Sequence, residues 1–235
     1  MSFAIVILRP EPGAEATAKR ARARGLSPVK APLFAVGPLA WEPPDPAGFE
    51  AVILTSANAA RHGGPGLAAF LSLPCYAVGE ATAAAALEAG FADLRTGASD
   101  AAALAAMLEA DGVRRAFHPC GRDHLALESP AEVERRVVYA AEPLAGLAAE
   151  AAEALERGAP ALLHSPRAAL RFAELAQEHA LDRSSIALAA ISAAAAASAG
   201  PGWQRVEIAS EPRDEALLEV AAKLCQTAGR SERKG

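Results

Sequence analysis

Short apolar runs and alanine-rich amphipathic stretches alternate along most of this 235-residue chain. The runs at 4–8, 51–54, 75–78, 113–118, 136–140, 161–164, 186–191 and 204–208 have the length and character of buried strands. Helical spacing of small apolar residues marks 14–24, 57–71, 81–88, 100–110, 144–157, 167–178, 193–199 and 214–226. Gly25, Gly90, Gly112 and Gly158 follow four of these helices as stop signals. Ser99 is placed to cap one helix, and Pro166 sits in the first turn of another. Strands of about five residues between helices of ten to fifteen predict βαβ units and a parallel sheet, hence an α/β protein.

Two stretches break the alternation. Residues 35–49 hold four prolines and two glycines and read as an extended segment followed by a loop. Residues 129–143 place an extended run, 136–140, between Pro130 and Pro143, with Pro143 expected to open the next helix. These crossings predict a discontinuous first lobe, 1–34 plus 144–235, and an inserted second lobe, 40–135. Segments 35–39 and 136–143 form a two-stranded linker. The last five residues, SERKG, read as a tail. An internal repeat supports two similar Rossmann- or flavodoxin-like lobes. VILTSANAA at 52–60 parallels ALLHSPRAA at 161–169, and YAVGEATAAAALEAG at 76–90 parallels AAISAAAAASAG at 189–200.

Composition narrows the function classes without choosing one. Hydrophobic residues make up 52 % of the chain but aromatics only 5 %, so small side chains do the packing. The net charge of −5 and scattered basic residues argue against a nucleic-acid binder. No apolar stretch reaches the roughly 20 residues of a membrane span. The start lacks a basic leader, and three cysteines without paired spacing suit a reducing cytoplasm. His118, Cys120 and His124 lack a fourth partner for a metal, and none of GxGxxG, GxxxxGK[ST] or GxSxG occurs at a suitable place.

In doubly wound sheets ligands sit beyond the carboxyl ends of the strands. There this chain places Arg9, Thr55–Ser56, Gly79–Thr82, Gly121–Arg122, His164–Arg167 and Ser192, most of them just before a helix. Helix N-termini and arginines favour anions. The same residues also have ordinary structural uses, as helix caps (Ser56, Ser165), tight turns (Gly79, Gly121) and salt-bridge partners (Arg9, Arg122). An enzyme, a two-lobed anion-binding or sensor protein without catalysis, and a flavodoxin-like FMN protein all remain open at this point. The scarcity of aromatics disfavours the last.

Six motifs in order, ILRP at 7–10, LTSANAA at 54–60, YAVGEATAAAAL at 76–87, CGRDHL at 120–125, VVYAAEP at 137–143 and LLHSPRAAL at 162–170, resemble the uroporphyrinogen-III synthase family. The resemblance implies two lobes joined by a two-stranded ladder. It also implies a lyase reaction of haem, sirohaem and cobalamin biosynthesis: hydroxymethylbilane loses water and closes with ring D inverted through a spiro intermediate. No cofactor and no metal are implied. The expected setting is a cytoplasmic monomer, with transient hand-over of substrate from hydroxymethylbilane synthase. By position, Tyr139 matches the tyrosine that helps the hydroxyl leave, and it is the candidate catalytic residue. The candidate substrate-binding residues are Arg9, Ser56, Asn58, Gly79, Thr82, Arg122, Ser165, Arg167 and Ser192. Thr82 matches the threonine of a VGxxTA turn. The corresponding turn of the other lobe reads Ile191–Ala195, so Ala195 stands where a second threonine is expected.

Overall fold

The computed structural model describes residues 3–97, 101–124 and 128–231. The chain divides into two compact units, 1–35 with 143–235 and 36–142. Three sequence features, the Ser99 cap, Leu125 of the CGRDHL motif and the tail from 232 onward, lie outside the described residues.

The first unit opens with strands β1 (Phe3–Ile7) and β2 (Leu26–Lys30) and helix α1 (Gly13–Ala23) between them. A third strand, β3 (Phe34–Pro38), follows and leads into the inserted unit. That unit comprises β4 (Ala51–Leu54), α2 (Ala57–His62), α3 (Gly64–Leu67), β5 (Cys75–Val78), α4 (Glu80–Glu88), β6 (Leu94–Gly97), α5 (Ala101–Ala110), β7 (Arg115–Gly121) and β8 (Glu132–Pro143). The chain then completes the first unit with α6 (Ala149–Glu156), β9 (Ala161–Leu163), α7 (Pro166–Glu178), β10 (Ala187–Ala190), α8 (Ala193–Ser198), β11 (Arg205–Ile208) and α9 (Asp214–Ser231).

Strand order in the first sheet is β11-β10-β9-β1-β2, all parallel. Numbered within its own unit this is the flavodoxin-like order 2-1-3-4-5 read from its other edge. The second sheet runs β3-β8-β7-β4-β5-β6, and from β8 to β6 its strands are parallel. Aligning β7, β8, β4, β5 and β6 with β1, β2, β9, β10 and β11 gives the same order. The inserted unit is therefore a circular permutation of the outer one.

Each sheet is covered on both faces. Ile5, Ile7, Leu162, Ala187 and Ala189 pack with alanines of α1 and with Leu217, Leu218 and Ala221 of α9. The alternate residues Val6, Leu8, Leu163, Leu188 and Ala190 are also fully buried. They face the side of α6, α7 and α8, which contact β1, β9 and β10 respectively. In the inserted unit Val52, Leu54, Phe117 and Val138 pack with α2 and α4, whereas Ala51, Ile53, Tyr76 and Ala116 pack with α5. Here the few aromatics concentrate: Phe70 stacks on Phe117 at 4.2 Å, and Phe49 and Trp41 close around Phe117.

Four sequence expectations change. The helix expected over 57–71 is broken into α2, α3 and a short 3-10 turn, because Gly63 and Gly64-Pro65-Gly66 interrupt it. Pro143 does not open a helix; it ends β8, and α6 begins only at Ala149. The extended run expected at 136–140 belongs to a longer strand, β8, which pairs with β7. Finally, β2 and β6 are strands that the pattern does not signal. Both are edge strands, and β2 carries Pro28, whose missing N–H is tolerated at a sheet edge.

Candidate functional site

Several polar side chains of the inserted unit lie at the carboxyl ends of β7 and β4, among them Thr55, Ser56 and Arg122. The chain order reverses between β7 and β4, the position where doubly wound sheets take ligands. Thr55 follows β4 half-buried, and its Oγ1 lies 3.1 Å from Nε2 of His118 on β7. Ser56 caps α2, its Oγ accepting from the Asn58 amide at 3.2 Å. Gly79 caps α4 with φ 74° and ψ 160°, a conformation that glycine alone adopts readily. A Cβ added at Gly79 would meet nothing within 4 Å, so its backbone, not its surroundings, calls for glycine. Thr82 lies buried on the first turn of the same helix, its amide donating to the Gly79 carbonyl at 3.2 Å.

Tyr139 on β8 is level with Gly121 at a shift in the β7–β8 register. A methyl group on Gly121 would fall 2.6 Å from Tyr139 Cζ, so the glycine makes room for the phenol ring. The ring also meets His62 of α2, 6.2 Å between centroids. Burial, and then the nearby Arg61 charge, hold His62 below the usual imidazole range. Sequence reasoning misses His62, since nothing in the ANAARHGG stretch signals that it will flank a tyrosine. Arg122 lies beyond β7, and its guanidinium is paired with Glu142. His124 Nδ1 donates to the Gly121 carbonyl at 2.9 Å.

In the outer unit the reversal point lies between β1 and β9. Ser165 caps α7 by accepting from the Ala168 amide, and Ser192 caps α8 by accepting from the Ala195 amide, each at 3.2 Å. Arg167 is exposed, its guanidinium 4.4 Å from the centre of the Phe34 ring. The two helices after β5 and β10 begin in different ways. One has Gly79 at the cap and Thr82 three residues on, and the other has Ser192 at the cap and the fully buried Ala195.

Arg9 is engaged within the protein. Its Nη1 donates to Asp214 Oδ1 at 3.0 Å, and the guanidinium lies over Gly13. Arg20 reaches Oδ2 at 3.0 Å, Thr17 Oγ1 donates to Oδ2 at 2.6 Å, and His164 Nε2 lies 3.2 Å from Oδ1. Burial opposes ionisation of Asp214, yet these partners outweigh it and hold the carboxyl well below the ordinary range. Burial likewise keeps His164 below the usual imidazole range, so at neutral pH the arginines carry the positive charge of this cluster. A chain carboxylate thus gathers the polar side chains that follow β1 and β9.

The candidate residues therefore fall into two sets within separate units: Ser56, Asn58, Gly79, Thr82, Arg122 and Tyr139 in one, Arg9, Ser165, Arg167 and Ser192 in the other. Among the described residues no group of three His, Cys, Asp or Glu is arranged to hold a metal ion, and no helix is long and apolar enough to cross a membrane.

Comparison with known proteins gives a consistent result. The sequence profile described as uroporphyrinogen-III synthase HemD matches residues 15–219. Uroporphyrinogen-III synthetase from Helicobacter pylori superposes with a TM-score of 0.64 at 19 % identity, covering 95 % of this chain and 100 % of that one. A mutant uroporphyrinogen III synthase from the extreme thermophile Thermus thermophilus superposes at 0.53 and 17 % identity, covering 96 % and 100 %. At such identity these likenesses establish the shared fold. The chain matches no curated protein by sequence.

Proposed function

The chain belongs to the uroporphyrinogen-III synthase family, and on that premise we propose that it closes hydroxymethylbilane to uroporphyrinogen III with loss of water and inversion of ring D. The observation that carries this reading is the family match over residues 15–219, which spans both units and most of the candidate residues. The noncatalytic anion-binding alternative has no observation that favours it.

The reaction asks the protein for geometry more than for strong acids or bases. Spontaneous closure joins the chain ends without inversion, so the enzyme must favour the attack of ring D through its substituted carbon. Holding reacting ends in place can contribute several kcal/mol to rate. On this reading Ser56 and Asn58 at α2, Gly79 and Thr82 at α4, Ser165 and Arg167 at α7, and Ser192 at α8 receive substrate carboxylates. The helix N-termini support that role, since they present amides and positive dipole ends to anions. Arg9 contributes indirectly, by tying α9 to the end of the first strand through Asp214. Arg122 pairs with Glu142 through Nη1 and turns its remaining guanidinium donors to a carboxylate.

Tyr139 orients and donates to the departing hydroxyl. Its contribution is a placed hydrogen bond to the charge that develops as the hydroxyl departs. The close approach of Gly121 and His62 to its ring supports this role, because a confined ring costs little to reorganise. We also read segments 35–39 and 136–143 as the linker of a lobe 1–34 plus 144–235 and an inserted lobe 40–135. The protein works as a cytoplasmic monomer receiving substrate transiently from hydroxymethylbilane synthase. The buried cysteine thiols accord with a reducing compartment.

The test is to incubate purified protein with hydroxymethylbilane, oxidise the products and resolve the isomers. Type III is expected; type I alone, formed at the spontaneous rate, overturns the reading.

A further inference from the structure

His118 sits fully buried on β7, beside the point where strand order reverses in the inserted unit. Its two ring nitrogens have different surroundings. Nε2 faces Thr55 Oγ1 at 3.1 Å, and Nδ1 meets no hydrogen-bonding partner among the described residues. Burial, with smaller contributions from Arg135 and His124, pushes the imidazole down to about 4, so the ring is neutral under working conditions.

A neutral imidazole carries one N–H, and its position decides what the Thr55 hydroxyl does. With the hydrogen on Nδ1, a buried donor is left without an acceptor, and Thr55 must donate inward to Nε2. With the hydrogen on Nε2, the imidazole donates to Thr55 Oγ1, and the threonine O–H is released to point away from the ring. Thr55 is half-buried just beyond the carboxyl end of β4, so its released hydrogen is available to a group at the turn that follows the strand. An anion at that turn would gain a charge-assisted hydrogen bond only in the second arrangement.

We propose that His118 is a positioning residue for substrate: it donates from Nε2 to Thr55 Oγ1 and thereby turns the Thr55 hydroxyl toward a substrate carboxylate. The proposal rests on the family reading of the substrate as a polycarboxylate. It gives the orphaned Nδ1 a reason, since this nitrogen stays unprotonated so that its partner can donate.

The experiment compares the full-length wild type with His118→Leu, His118→Gln and Thr55→Val. Leucine fills the buried volume without a donor, and glutamine restores an N–H near the Nε2 position. KM for hydroxymethylbilane is expected to rise about five-fold in His118→Leu and in Thr55→Val, with kcat little changed and no further loss in the double variant. His118→Gln should recover most of the effect. NMR of the imidazole nitrogens in wild type, with uroporphyrin III as a non-reacting polycarboxylate, should show His118 in the Nε2–H tautomer. An Nδ1–H tautomer in the presence of that ligand overturns the proposal. So does an unchanged KM in His118→Leu and Thr55→Val. If His118→Leu does not fold, Thr55→Val and the tautomer decide. Wild type that makes only type I would defeat the functional reading instead, and the tautomer measurement would still decide the role of His118.

Discussion

At the scale of single residues, Asp214 shows how this chain uses its scarce charges. Four side chains, from α1, the loop after β1 and the end of β9, converge on one carboxylate that is 9 % exposed. Replacing it by asparagine keeps the shape but removes the negative charge that Arg9 and Arg20 pair with. A loss of about 2 kcal/mol is expected by denaturant titration, below the full cost of breaking a buried pair because Arg9 and Arg20 stay partly in water. The pH dependence has a definite sign. The folded carboxyl titrates below its unfolded value, so its stabilisation is complete above the ordinary carboxylate range and fades as the pH falls through the folded value. The Asp214→Asn variant should therefore lose less stability than wild type on going from neutral pH to pH about 3; equal losses would show that the cluster does not hold the carboxyl ionised. Tyr139 makes the matching prediction for activity. Tyr139→Phe should slow type III formation about tenfold or more with an unchanged melting temperature, as expected for one lost hydrogen bond to developing charge. Gly121→Ala should slow it as well, since the added methyl displaces the ring.

At the scale of elements, the helix starts carry both stability and the proposed binding. Ser165→Ala removes a cap from α7 and should cost about 1 kcal/mol in chemical unfolding. Gly79→Ala has room for its methyl but must adopt φ 74° with ψ 160°, so a loss of about 1–3 kcal/mol in thermal or chemical unfolding is expected. No loss would mean that the turn relaxes freely. These turns are legible in sequence because serine before a helix and glycine after a strand have few other uses. The central strands are legible too, as runs buried on both faces. The edge strands are not: β2 is LSPVK, with a proline and two polar residues in five, and β6 is LRTG, so neither shows the apolar run by which a strand is recognised. The partners of Arg9 and Thr55 are equally hidden. Asp214 is 205 residues from Arg9 and His118 is 63 from Thr55, and no local pattern reports pairings that only the sheet order creates.

At the scale of the whole molecule, one strand order appears twice, once interrupted and once permuted. That arrangement explains why the internal repeat covers the strands β4, β5, β9 and β10 so well. Their units keep the same sequence order in both halves, whereas β7 and β8 match strands at the far end of the chain. The alanine-rich, aromatic-poor composition fits this plan, since helices with small faces sit close on both sides of two sheets. A net charge of −5 does not conflict with a polycarboxylate substrate, because the proposed contacts are mostly amides and hydroxyls at helix starts rather than a basic surface. The central claim is that the protein directs the ring closure. The most direct measurement is the ratio of type III to type I uroporphyrin, after oxidation, as enzyme is titrated against a fixed amount of hydroxymethylbilane. The account predicts that type III rises with enzyme until type I is nearly abolished; a product that stays type I at every enzyme concentration would contradict it.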